Sequence, residues 1–256
     1  LPNYKMHYTG GMWVGNSGLS SNGYTQFSGS PGGISYFHSG FMNDTAPVGN
    51  DADMVSYYTP RMSGFQLGVG WMPDSDQNDA GHTSAGDLSD TFEDTLSIGA
   101  NYTTDMDGTS IAVSAGYTSS DVQNAGNASS SVEVETHQVG VQVGMGGFTF
   151  GASYMEQIDD TNARTGGDTE NILLGVTYAT GPHTIGLSGI WSEAEETTAI
   201  AADTEGQAIM IAHDYSLGGG VSLSSSVTFI DIDDEVAGAA NDSDGLVGMV
   251  MLNAGF

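Results

Sequence analysis

The chain has 256 residues, with 32 Asp and Glu against 3 Lys and Arg, for a formal net charge of −29. That balance argues against nucleic acid as a partner and against docking on an anionic membrane surface through a basic patch, since both need cationic side chains. Cysteine is absent, which removes disulfides, thiolate metal ligands and a Cys nucleophile, and 38 glycines speak against a helical protein.

Taken in chain order, the first fifty residues show no alternation that lasts. Gly-rich pieces at 9–18 and 28–33 separate aromatic clusters at 4–8 and 36–41. Residues 1–52 read as one long ordered loop, and loops of that size usually carry function. Short strands near 5–13 and 34–41 are the alternative. The chain opens at Leu1 without a charged-then-apolar leader, as a mature or truncated product would. No run of about 18 apolar residues is present to form a transmembrane helix.

Residues 53–256 read as one domain of strands with alternate residues apolar, the period-2 mark of a sheet with two different faces. Phe65, Leu67, Val69 and Trp71 alternate with Gln66, Gly68 and Gly70, and Leu96, Ile98, Ala100 and Tyr102 with Ser97, Gly99 and Asn101. The same pattern runs through Val113, Val139, Phe150, Leu174, Leu187, Ile211, Val227 and Leu252. With the strand at 55–58, the count is eleven. Short connections (60–64, 105–109, 146–147, 181–182, 217–220) alternate with long polar ones (73–93, 119–133, 159–168, 193–205, 233–244). This is an all-β, antiparallel up-and-down meander with one tight end and one loopy end.

The long-loop regions and their flanks hold 26 of the 32 acids. Aromatics mark both strand ends: Tyr58, Tyr102, Phe148, Tyr178 and Tyr215 beside short turns, and Trp71, Tyr117, Tyr154, Trp191 and Phe229 beside long loops. Two aromatic rows flanking an apolar band suit a bilayer with two interfaces. The opposite strand faces carry Gly, Ser, Thr and Gln, a poor second core but a suitable wall for a water-filled lumen.

The stretch from Val55 to Asp74, VSYYTPRMSGFQLGVGWMPD, resembles the mid-barrel hairpin of alphaproteobacterial general porins. The ending VMLNAGF, residues 250–256, resembles the outer-membrane assembly signal with its terminal Phe. The resemblance covers about residues 50–256. It implies a transmembrane β-barrel of the sixteen-stranded porin type, with residues 1–52 as a constriction-like third loop and the first strands absent from this chain. A smaller barrel of about twelve to fourteen strands is the alternative, because eleven is odd and single-chain bacterial barrels have even counts. It further implies a homotrimer in the Gram-negative outer membrane. One departure stands out: such porins carry a basic cluster on the lumen wall, whereas only Lys5, Arg61 and Arg164 are basic here, none on an expected lumen face.

The function expected is passive diffusion of small hydrophilic solutes and ions, without enzymatic activity. Asp44, Asp51 and Asp53 are the candidate constriction carboxylates, and they would make the pore cation-preferring. The acids Asp74, Asp76 and Asp79, together with Asp231, Asp233 and Asp234, are candidate Ca²⁺ ligands, or bridges to lipopolysaccharide, although the EF-hand spacing fails. Six histidines show no metal-ligand spacing, and no nucleophile elbow or phosphate loop occurs. Two other readings stand beside the pore: a barrel hydrolase with a Ser/His pair on adjacent strands at the lipid face, and an acidic structural or adhesive β protein.

Overall fold

A computed structural model describes residues 55–74, 91–123, 132–159, 168–195, 203–234 and 243–255. Among them are eleven strands: β1 (Val55–Tyr58), β2 (Phe65–Asp74), β3 (Thr91–Met106), β4 (Thr109–Gln123), β5 (Val132–Met145), β6 (Phe148–Asp159), β7 (Thr169–Thr180), β8 (His183–Glu195), β9 (Asp203–Gly218), β10 (Val221–Asp234) and β11 (Ser243–Ala254). They form one antiparallel sheet in strict chain order, each strand bonded to its neighbours. The expected up-and-down meander is therefore present. Its two edges, β1 and β11, do not pair with each other among the described residues.

Strand chemistry sorts by face as the alternation requires. Leu67, Val69, Ile98, Val113, Val141, Phe150, Leu174, Leu187, Ile211, Val227, Val250 and Leu252 are all exposed on the outer face. On the inner face, Thr95, Ser97, Asn101, Ser114, Thr118, Thr136, Ser188, Ser224 and Ser226 are buried. A water-soluble sheet would show the reverse, because apolar burial drives folding in water. An exposed apolar band with a buried polar wall is the surface of a barrel that lipid surrounds.

The short turns follow from their residues. Ser63-Gly64, Asp107-Gly108 and Gly146-Gly147 have positive φ at both positions, the two-residue hairpin whose twist matches that of the strands. At Gly147 the need for glycine is double. Its φ is +85°, and a Cβ there would lie 2.9 Å from the Ala179 carbonyl oxygen. That close approach exists because the Ala179 amide donates to the Gly147 carbonyl at 2.8 Å, carrying the ladder around the turn into the next hairpin. Thr103 to Gly64 and Gly255 to Gly220 repeat the contact at 2.8 and 2.9 Å.

Two sequence expectations need correction. Strands run past the expected loop starts: β4 continues to Gln123 and β9 begins at Asp203. Backbone pairing persists beyond the lipid band because it needs only a neighbouring strand, not an apolar face. Tyr58, placed in the outer aromatic row, pairs with Gly68 of the inner face, so Tyr57, opposite Val69, takes the outward position. The constriction-like segment 1–52 and the short-strand alternative lie outside the described residues.

Candidate functional site

The inner face of the sheet is the candidate functional surface. On β3 and β4, cross-strand register brings hydroxyls together: Thr95 and Ser120 are 2.9 Å apart, Ser97 and Thr118 3.3 Å. On β9 to β11, Asn253 Nδ2 donates to Ser224 Oγ at 3.0 Å, and Ser224 Oγ donates in turn to the Asp214 carboxylate. The neighbouring wall is less polar, with Met210, Ala212 and Met249 buried and Met251 packed against them.

Asp214 and Arg61 are charges bonded to this wall, and Asp105, two residues beyond Thr103 on β3, shares its inner parity. Arg61 belongs to the turn between β1 and β2, where strand parity assigns no face. Its guanidinium folds over the inner side, donating to Gln66 Oε1 at 3.0 Å, Asn101 Oδ1 at 2.6 Å, Thr103 Oγ1 at 3.0 Å and the Gly64 carbonyl at 2.6 Å. This corrects the expectation that no basic residue meets the lumen face. All four acceptors are neutral oxygens, so they position the cation without cancelling its charge.

The long-loop rim carries the opposite sign. Cross-strand register sets Glu156 opposite Glu170, Glu170 opposite Glu193, Glu193 opposite Glu205, and Glu205 opposite Asp233. These five carboxylates continue the outward parity one step above Tyr154, Ile172 and Trp191. With Asp231 and Trp191, four of them border a groove of about 310 Å³. Like charges directly opposite one another are destabilising, by fractions of a kcal/mol per pair, so the row opposes folding and is kept at some cost. Toward β4 and β5 the acids are engaged: the Tyr117 hydroxyl donates to Glu135, and His137 stands 4.0 Å from the same carboxylate.

The residues expected to carry chemistry divide as follows. Asp44, Asp51, Asp53, Asp76 and Asp79 lie outside the described residues. Asp74 pairs through its backbone with Glu93, whereas Asp231, Asp233 and Asp234 lie on β10, eight strands away in the sheet. Asp231 accepts from Gln207 Nε2 at 3.1 Å. Among the described residues no three His, Asp or Glu are grouped to hold a metal ion. A Ser/His pair on adjacent strands does occur at the outer face, Ser225 opposite His213. The Ser225 hydroxyl, however, donates to the His213 carbonyl at 3.4 Å, and the imidazole is bonded to His183. The nucleophile–base contact that a hydrolase needs is therefore not made there.

Compared with known proteins, the chain matches the family model for Gram-negative porins over residues 6–235. It belongs to the Gram-negative porin family. Among solved structures, the fold is similar to the anion-selective porin of Comamonas acidovorans (TM-score 0.52, 18% identity, 79% of this chain and 60% of that one). It is also similar to the trimer form of OmpT from Vibrio cholerae (TM-score 0.52, 11% identity, 79% and 65%). OmpF of Salmonella typhi, solved with daunomycin, is a third (TM-score 0.53, 14% identity, 78% and 61%). The porin thus spans less than two thirds of the length of these structures, and at such identities the likeness is one of fold. By sequence, no curated protein matches. The family is one of outer-membrane channel proteins and not of enzymes, and the porin's outer face, apolar between aromatic rows, is built for that membrane.

Proposed function

We propose that this porin forms a water-filled channel through which small hydrophilic solutes and ions diffuse, with cations preferred, and that it works as a homotrimer. The observation that carries the reading is the exposed apolar outer face of the strands set against an inner face where buried Ser, Thr and Asn predominate on β3, β4 and β10. A closed barrel pairs every backbone donor and acceptor, which lipid demands, so strands outside the eleven described ones must cover the edges of β1 and β11. The Asn171 carboxamide and the Thr228 hydroxyl are buried on the inner face, with no hydrogen-bond partner among the described residues.

Cation preference rests on the rim. The opposed carboxylates stand on the outward face at the long-loop end, so they act on ions near the mouth through their field, attracting cations and repelling anions. Residues 1–52 are assigned to the constriction, with Asp44, Asp51 and Asp53 as its carboxylates. Reconstituted in a planar bilayer under a KCl gradient, the porin is expected to give large ohmic steps, closing in threes, and a reversal potential of cation sign. The triple change D44N/D51N/D53N should move that potential toward zero without abolishing the steps. A reversal potential favouring chloride in the native protein defeats the preference. Absence of steps from folded, inserted protein defeats the channel.

A further inference from the structure

His183 begins β8 and His213 lies near the end of β9, thirty residues apart in sequence, and the hairpin register brings them to neighbouring outward positions at the short-turn rim. His183 stands opposite Tyr215, and Ile185 opposite His213. Nδ1 of His183 and Nε2 of His213 are 3.0 Å apart, and the rings are nearly parallel, at 18° with centroids 5.3 Å apart. Tyr215 stacks on His183 at 4.8 Å. Such a contact needs one ring to hold its proton between the two nitrogens while the other offers a lone pair.

We propose that His183 and His213 form a two-imidazole chelate for a divalent transition cation on the outer wall of this porin. Two metal–nitrogen bonds of about 2.0–2.1 Å span about 2.9 Å at a right angle and about 3.3 Å at the tetrahedral angle. The observed 3.0 Å is close to the first. A right-angled pair of nitrogens belongs to tetragonal coordination, the geometry of Cu²⁺ and Ni²⁺, and Cu²⁺ binds nitrogen donors most tightly of the first-row series. Binding requires a tautomer change in one ring, which moves the shared proton to its outer nitrogen. A turn of about 45° by each ring then points both lone pairs at one site, the right-angled geometry above. Besides that proton shift and the loss of the hydrogen bond between the rings, only coordination bonds form, and water completes the shell. His183 is exposed and His213 half-buried, so the site is reachable from solvent at the membrane border. Asp214, between them and Tyr215 in sequence, has the opposite parity and faces inward. The donor set is thus imidazole alone, which disfavours Ca²⁺ and Mg²⁺.

The test uses the full chain, folded in detergent and verified by heat-modifiable migration, titrated with Cu²⁺ alone. The expected results are one equivalent bound and an electron paramagnetic resonance spectrum with coupling to two imidazole nitrogens. H183Q and H213Q should each weaken binding by more than about tenfold, since a single imidazole cannot chelate, while H137Q should leave it unchanged. A wild-type spectrum without two-nitrogen coupling overturns the proposal, and that observation requires no variant. So does equal binding by the double variant H183Q/H213Q, which would place the copper on other histidines of the chain. Channel activity enters none of these readouts, so their failure leaves the diffusion pore standing.

Discussion

Replacing Leu187 with arginine is expected to destabilise the inserted barrel by about 2–4 kcal/mol, the cost of a cation at the mid-depth of a barrel's lipid face. Leu187 lies midway between the short-turn rim at His183 and the aromatic Trp191, with Val176 and Ile211 as its cross-strand partners. At 48% exposure it has no protein surface on which to hide a charge. Ser188, one residue on, is 7% exposed and sits on the inner wall. Ser188→Asn should therefore fold as well as the native chain. The pair separates a lipid-face reading from a general intolerance of β8. The measurement is urea unfolding from lipid vesicles, followed by tryptophan fluorescence and by heat-modifiable migration. If Leu187→Arg matched the native stability, the outer face would not be the lipid face.

Removing the Arg61 charge has the second large effect, and it falls on selectivity. Arg61 is the sole Lys or Arg among the described residues, and it lies over the inner wall. A unit charge acts on an ion about 8 Å away in water with about 0.5 kcal/mol. It favours anions and disfavours cations by that amount, and salt reduces both effects. Arg61→Gln should accordingly raise the cation-to-anion permeability ratio by about two- to fivefold. The turn should hold, because the Gly64 carbonyl also accepts from the Thr103 amide at 2.8 Å. Bilayer reversal potentials of the two proteins under one KCl gradient are the check. An unchanged ratio would mean that permeating ions do not sense the guanidinium.

The acidic rim and Arg61 carry opposite charges at opposite ends of the strands. The rim acts at the long-loop mouth through at least five aligned carboxylates, whereas Arg61 acts at the short-turn end through one. If both lie along the path of an ion, the rim should decide the sign of selectivity and Arg61 its size. The similar porin of Comamonas acidovorans is anion-selective, and selectivity in any such fold follows from side chains placed on the barrel and not from the barrel itself.

Much of the architecture was legible in the residues because it is written locally. Alternation of Leu96, Ile98, Ala100 and Tyr102 with Ser97, Gly99 and Asn101 shows two faces within one strand, whatever its neighbours do. Asp107-Gly108 and Gly146-Gly147 are turn signals of two residues. Eleven strands in chain order followed from these two patterns together. Tyr58 was misplaced because four residues of β1 are too few to establish a parity, and only pairing with Gly68 settles it. The signal available earlier was Tyr57 beside it, equally aromatic and one position out of phase.

The features most relevant to function were the ones not written locally. Histidines at 183 and 213 have no metal-ligand spacing along the chain; their contact depends on the register across the β8–β9 hairpin. The row Glu156, Glu170, Glu193, Glu205 and Asp233 is scattered over about eighty residues and becomes a line only through four successive registers. Arg61 belongs to a turn, where period 2 says nothing, and its long side chain takes the face that offers acceptors. By itself, the sequence determined the order and faces of the eleven described strands and the sign of the rim, since a strand's alternation and a turn's φ requirements are properties of adjacent residues. The tertiary structure alone decided which side chains meet, because a contact between strands depends on the offset at which two ladders lock, and that offset is set by the pairing of whole hairpins.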